Sequence, residues 1–237
     1  IVYLTHLNGQ ASYDENFYKL KKKLKFKVIE DAAQSIFLKH KKKFVGTIFD
    51  IGCYSLSITK PFNMIYGGFC VTNDKKIANK LMAIRNNGVN SEPENAKLEI
   101  AKHKGLNLKP SDLHSIVGIK NFKLKKKILR KIILIHKLYE KKINNKKLKF
   151  LKIDYKTSIP IYAQVFVKDR KRFYNYCKKN GIQIHLGIRS LDSIIYQKSL
   201  FNLKNSRFIS DHLVRLPCGP GYSLYDLNKV IKIINLY

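Results

Sequence analysis

Val28-Ile29-Glu30-Asp31-Ala32-Ala33-Gln34-Ser35, then Gly52-Cys53-Tyr54-Ser55-Leu56-Ser57-Ile58-Thr59-Lys60-Pro61, then Gly67-Gly68-Phe69-Cys70-Val71-Thr72-Asn73-Asp74: the fold is decided by how these three runs are read. Lys27 to Glu30 is a short apolar strand that ends at Asp31. Upstream, Ile1 to Leu4 reads as another strand, and Tyr13 to Leu24 between them has the spacing of an amphipathic helix. Together they make a βαβ unit. A segment around Gly52 to Ile58 and a strand from Gly68 to Thr72 follow. A helix then runs from Lys75 to about Asn86 and is stopped by Asn87-Gly88. Strands alternating with helices predict an α/β architecture with a mostly parallel, mixed sheet, and any site at the carboxyl ends of its strands. Asp31 occupies such an end.

Outward from this stretch, Ser111 and Asp112 offer capping oxygens to a long helix running towards Asn144, with Leu113, Ile116, Val117, Ile128, Leu129, Ile132 and Ile133 as apolar positions. Beyond about Phe150 the pattern changes. It becomes a strand from Ile159 to Val167, a helix from Arg170 to Lys179 ended by Asn180-Gly181, a strand near Ile182 to Leu186 and a terminal helix after Ser223. The expected division is therefore a large domain over 1–145, including the long linking helix, and a small α+β domain over 146–237.

Composition narrows the classes. The chain has 237 residues, and 45% of them are hydrophobic, enough for a packed core despite a formal charge of +31. No apolar run approaches the roughly 20 residues that span a bilayer, and no signal-peptide layout opens the chain, so a cytoplasmic protein without a membrane partner is expected. Cys53, Cys70, Cys177 and Cys218 form no Cys-x-x-Cys pair, so neither zinc nor a disulfide framework is indicated. The basic runs Lys19 to Lys27, Lys39 to Lys43 and Lys120 to Lys131 raise a nucleic-acid-binding module as the alternative. Against specific recognition, most of the charge is Lys rather than base-reading Arg, and within Lys120 to Lys142 the lysines alternate with Ile and Leu as the wet face of a core helix.

The three runs also carry chemistry. A carboxylate at a strand end, a Ser five residues before a Lys, and a Gly pair opening the next strand suit pyridoxal 5'-phosphate (PLP). A lysine amine forms a Schiff base with the cofactor aldehyde, and a carboxylate keeps the pyridine nitrogen protonated. A hydroxyl and turn N–H groups suit the phosphate. These segments resemble the DegT/DnrJ/StrS sugar-nucleotide aminotransferases, which are fold-type-I PLP enzymes. The resemblance rests on the ordered set of Glu30-Asp31-Ala32-Ala33-Gln34, Ser55 to Lys60, and Gly67-Gly68 to Thr72-Asn73-Asp74. His6-Leu7-Asn8-Gly9, Arg85-Asn86-Asn87-Gly88, Gly105-Leu106-Asn107 and Leu216-Pro217 add to it. It covers essentially the whole chain.

Residue by residue, the resemblance implies that Lys60 is the Schiff-base lysine and Asp31 the partner of the pyridinium nitrogen. Ala33 packs on a ring face, Gln34 approaches the phenolic oxygen, and Ser55 holds the phosphate. Asn107 reaches the phosphate of a neighbouring subunit, which implies a homodimer with shared sites. Tyr66, His185 and Arg189 are weaker substrate candidates, and the other histidines read as structural. The implied reaction takes an amino group from a donor, glutamate, to a keto-sugar nucleotide, in polysaccharide, glycan or secondary-metabolite biosynthesis. Relatives with His in place of the lysine carry out dehydration, so Lys60 points to transamination. A PLP-free, non-catalytic relative is a further alternative, and retention of both Asp31 and Lys60 speaks against it. The sequence departs from the family at Asn87, at Leu56 after Ser55, and at the basic run Lys39 to Lys43. In the family a small-residue phosphate loop and a stacking aromatic precede the strand that opens this chain. The 237 residues are therefore expected to be the later part of a longer enzyme.

Overall fold

The computed structural model describes residues 1–89, 101, 103–193 and 203–237, and every candidate site residue lies within them. The chain forms two compact units, Ile1–Lys126 with Lys156–Ile159 and Lys127–Tyr155 with Pro160–Tyr237. The expected change of pattern near 145 marks where a helix ends. The units part earlier, within that helix, because its later turns bury Ile132, Ile135, His136 and Tyr139.

In the first unit, strands β1 (Val2–Thr5), β2 (Val28–Asp31), β5 (Ile51–Ser55) and β6 (Gly68–Val71) form a sheet in the order β1-β2-β5-β6. The first two pairings are parallel and β5 to β6 is antiparallel, so the sheet is mixed as expected. Helix α1 (Glu15–Leu24) connects β1 to β2, capped by the Asp14 carboxylate on Phe17 N–H and closed by Lys25 in the left-handed region. Its aromatic residues join a cluster of Tyr13, Phe17, Tyr18, Phe26 and Phe49 packed edge to face. Helix α2 (Lys75–Arg85) is capped by Asp74.

The basic run at Lys39 to Lys43 folds as a small hairpin of β3 (Lys39–His40) and β4 (Lys43–Phe44), which the pattern reading did not anticipate. Its two turn residues, Lys41 and Lys42, both have positive φ (47° and 70°). That is the geometry normally given to Asn-Gly.

The single long helix expected from Ser111 is two helices, α3 (Asp112–Lys123) and α4 (Lys125–Lys142). Leu124, at φ −87° and ψ 2°, leaves the helical region and separates them. Along α4 the buried Ile132, Ile135 and Tyr139 recur at helical spacing, while Lys126, Lys127, Lys137, Lys141 and Lys142 face solvent.

The second unit is a two-layer α+β structure. Strands β7 (Leu148–Phe150), β8 (Ala163–Val167), β9 (His185–Leu186) and β10 (Leu213–Leu216) form an antiparallel sheet in the order β7-β8-β10-β9. Alternate residues Ala163, Val165 and Val167 meet Phe173 and Cys177 of α5 (Arg170–Lys179) and Leu227, Val230, Ile231 and Ile234 of α7 (Leu224–Asn235). A capping box between Ser223 and Asp226 starts α7. The expected strand from Ile159 begins only at Ala163. Pro160, just upstream, has no N–H to offer a ladder. Helix α6 (Lys204–His212) and β10 are additions to the sequence reading.

Candidate active site

Register aligns the strand ends beside several candidates of the first unit. Thr5 pairs with Asp31 across β1 and β2, and Asp31 pairs with Cys53 across β2 and β5. Three parallel strands thus end side by side; Ser55 is the last residue of β5, and the segments after the three strands carry Asn8, Ala33, Gln34 and Lys60.

A buried polar network holds that row. Glu30 is fully buried and accepts hydrogen bonds from the N–H groups of Gly46 (2.7 Å), Ile48 (2.9 Å) and Phe49 (2.8 Å). His6, also fully buried, adds an Nε2 contact to the same carboxylate at 3.3 Å. Because His6 Nδ1 accepts the Ser12 N–H at 3.1 Å, the proton sits on Nε2 and is donated to Glu30. Burial by itself would raise the Glu30 pKa, but the hydrogen bonds from His6, Phe49, Gly46 and Ile48 outweigh it and hold the carboxyl below its ordinary value. The backbone of His6 completes the clamp: its N–H donates to the Asp31 carbonyl (3.0 Å) and its carbonyl accepts the Ser35 hydroxyl (2.7 Å). The strand end bearing Asp31 and the turn bearing Ala33 and Gln34 are thereby fixed to β1.

The individual side chains follow. Asp31 Oδ1 accepts the Ala33 N–H at 3.0 Å, which orients the carboxylate over its own turn. Gln34 Oε1 accepts the N–H of Asn8 at 3.0 Å. Asn8 supplies that N–H from a left-handed conformation, φ 49° and ψ 41°. With its oxygen occupied, Gln34 has its NH₂ end to offer a ligand. Ser55 ends β5, and its Oγ lies 3.3 Å from both the Ser57 N–H and the Ser57 hydroxyl, which in turn lies 3.3 Å from Thr59 Oγ1.

Lys60 sits in the loop from Leu56 to Gly67, whose neck is closed by Leu56 N–H on Gly67 O (2.9 Å) and Met64 N–H on Leu56 O (2.8 Å). Two carboxamides tie it to α3: Asn121 donates to Asn63 O (2.8 Å), and Asn63 donates to Lys60 O (3.2 Å). Ile65, at φ 70°, is the centre of a three-residue turn closed by Tyr66 N–H on Met64 O. A β-branched residue in that region is strained, so the loop is held there by its surroundings.

The remaining candidates are more open. Tyr66 is 70% exposed, with its ring edge-on to His114. Asn107 is exposed and bridges to Asn86. His185, the register partner of Arg215, and Arg189 are exposed residues of the second unit. Sequence reasoning read His6 as structural, quoted Glu30 only within the motif run without giving it a role, and passed over Asn63 and Asn121. The signal for Glu30 was available, since alternation along β2 puts it on the buried face with Val28. No comparable local signal marks Asn121, which acts on a loop 58 residues away in sequence.

The model of the DegT/DnrJ/EryC1/StrS aminotransferase family matches residues 1–235. The chain belongs to that family. Over its full length it is 29% identical to the dTDP-3-amino-3,6-dideoxy-alpha-D-galactopyranose transaminase of Aneurinibacillus thermoaerophilus, of which it covers 65%. Over 94% of its length it is 25% identical to the UDP-4-amino-4,6-dideoxy-N-acetyl-beta-L-altrosamine transaminase of Campylobacter jejuni, covering 61% of that protein. The chain therefore spans less than two thirds of these relatives. Among solved structures, the aminotransferase TlmJ of Streptoalloteichus hindustanus superposes with a TM-score of 0.89 over 99% of this chain and 64% of its own, at 16% identity. That likeness shows the fold, that of the fold-type-I PLP-dependent aminotransferases.

The donor set suits PLP: a carboxylate, an amide NH₂ end and a hydroxyl cluster lie on neighbouring strand ends, with a lysine in the adjoining loop. Among the described residues no group of three or more His, Cys, Asp or Glu is placed to hold a metal ion. No described helix is long and apolar enough to cross a membrane.

Proposed function

We propose that the complete protein is a PLP-dependent aminotransferase that converts a keto-sugar nucleotide to an amino-sugar nucleotide, with glutamate as the amino donor. The observation that carries this reading is the row of strand ends and turns bearing Asp31, Gln34, Ser55 and Lys60, in a chain whose relatives include dTDP-sugar and UDP-sugar transaminases. When bound, PLP supplies an aldehyde that takes up the amino group and a ring that draws electrons from the reacting carbon. Asp31 holds a proton on the ring nitrogen, a role that suits a carboxylate oriented by the Ala33 N–H. Ala33 packs against the ring, and Gln34 donates from its NH₂ end to the phenolic oxygen. Ser55, with the Ser57 N–H beside it, binds the phosphate. Lys60 Nζ would be the point of covalent attachment and the base that moves the proton at the reacting carbon. Asn107 completes the phosphate site of a second subunit in a homodimer. Tyr66, His185 and Arg189 belong with the sugar nucleotide. The enzyme works in the cytoplasm, in polysaccharide, glycan or secondary-metabolite biosynthesis.

The complete protein loaded with PLP is expected to show the absorbance of a lysine-bound cofactor. Borohydride should fix the link, and peptide mapping should place it on Lys60. Lys60→Ala should lose the band; a band that persists in that variant overturns the assignment. Glutamate should change the absorbance of the wild type, and a keto-sugar nucleotide should restore it.

A further inference from the structure

The first sheet carries two thiols placed to react with each other. Cys53 on β5 and Cys70 on β6 are register partners in the antiparallel pair, so their side chains leave one face of the sheet opposite each other. Their sulfurs are 3.6 Å apart. A disulfide needs about 2.05 Å, so rotation about the two Cα–Cβ bonds has to supply only about 1.5 Å of approach. Cys70 is exposed and Cys53 is partly covered, whereas Cys177 and Cys218 are buried in the second unit. The pair brackets the Lys60 loop: a bond between them would close a covalent ring around Ser55, Lys60 and Tyr66. Asp31, the register partner of Cys53 on β2, adjoins it.

We infer that Cys53 and Cys70 are an oxidant-sensitive dithiol, converted by peroxides to a cross-strand disulfide that encloses the Lys60 loop. The exposed Cys70 begins the reaction. Burial, the neighbouring Cys70 and the Asp31 charge push the Cys53 thiol up to about 12, so Cys53 stays protonated at neutral pH. The Cys70 thiolate attacks one peroxide oxygen, the O–O bond breaks, and the departing hydroxide takes up a proton to become water. Cys70 then bears a sulfenic acid. The Cys53 sulfur attacks the Cys70 sulfur, the S–O bond breaks, and the hydroxyl leaves with the Cys53 proton as a second water. The peroxide gains two electrons, and the two sulfurs together lose two. An added dithiol reverses the bond by exchange.

The test treats the complete protein, first reduced, with hydrogen peroxide, blocks remaining thiols and maps peptides without reduction. A cross-linked peptide containing Cys53 and Cys70, two hydrogens lighter than its parts and lost on adding dithiothreitol, is expected. Hydrogen exchange across residues 56–67 should slow severalfold in the oxidised form. In Cys53→Ser, Cys70 should instead be trapped as a sulfenic acid by dimedone, while Cys177→Ser should leave the cross-link unchanged. Cys70 oxidised singly in the wild type, or both thiols still alkylated after peroxide, would overturn the inference. None of these readouts depends on PLP or on the reading of Lys60.

Discussion

The two units are held together in different ways. The second has a continuous apolar core, in which Phe173, Val165, Val214, Leu227 and Ile234 are almost wholly buried against one another. In the first, the small apolar cluster of Ala32, Leu38, Val45 and Tyr54 stands beside a buried charge network centred on Glu30, while Leu113, Ile116, Ile119 and Phe122 of α3 remain exposed. A core of the second kind tolerates polar errors poorly but defines no particular chemistry. A network of the first kind costs desolvation, yet it fixes backbone N–H groups and strand ends at named atoms, which a site for a charged cofactor requires.

The contrast breaks most visibly under truncation. Phe173→Ala should destabilise the second unit by about 3–5 kcal/mol, because the cavity it leaves is walled by well-packed neighbours. Urea unfolding followed by hydrogen exchange should register this in residues 127–237. Glu30→Gln should cost the first unit about 3 kcal/mol, since an amide NH₂ then faces donors that the carboxylate had accepted. The same variant should weaken PLP binding in the complete protein, because the strand end of Asp31 loses its anchor. Unchanged protection of residues 28–55 in that variant would mean the network is incidental.

Acid separates the units by pH. In the second, burial pushes His136 down to about 4, and its Nε2 has no hydrogen-bond partner among the described residues. The unfolded chain takes up that proton near 6.5, so the stabilisation is complete above about 6.5 and is lost as pH falls towards 4, by about 1.4 kcal/mol per pH unit. In the first unit the folded pKa of Glu30 is depressed, and that of Asp50 lies at about 2. Burial opposes the Asp50 shift, while Val28 N–H, Lys27 and Lys21 drive it. Their contributions are complete above the ordinary carboxylate range and disappear only below it. Between pH 6.5 and 5 the free energy of opening, read from exchange after correction for its intrinsic pH dependence, should therefore fall in the second unit and stay level in the first; His136→Leu should flatten the slope.

What the sequence made legible follows the same division. Periodicity located α1, α2, α5 and α7 because their caps, Asp14, Asp74, Asp169 and Ser223, act within three residues. Asp31, Gln34, Ser55 and Lys60 were legible as motif residues beside strand ends. The contacts that position them were not: His6 reaches Glu30 across 24 residues, and Asn121 reaches Asn63 across 58. The break at Leu124 escaped because Leu is a good helix former and neither Gly nor Pro marks the place. Asn121→Ala tests whether that distant contact matters. Loss of one partly buried hydrogen bond should lower stability by about 1 kcal/mol and raise exchange across residues 57–66 more than elsewhere.

A comparably small effect is expected at the β3–β4 hairpin, where composition and geometry conflict. A two-residue turn with positive φ at both positions suits Asn-Gly, whereas here Lys41 and Lys42 occupy it. Lys41 also contacts Glu15 and lies 5.9 Å from the Tyr18 ring, interactions of exposed groups that offset little of the backbone cost. Replacing the pair by Asn-Gly removes the Cβ conflict at one position and reduces it at the other, at the expense of greater freedom in the unfolded chain. The balance should be a gain of about 1 kcal/mol, read as a higher urea midpoint for the first unit with the second unchanged. A loss instead would show that Lys41 and its contacts on α1 outweigh the turn. The first unit would then depend on surface charge as well as on its buried network.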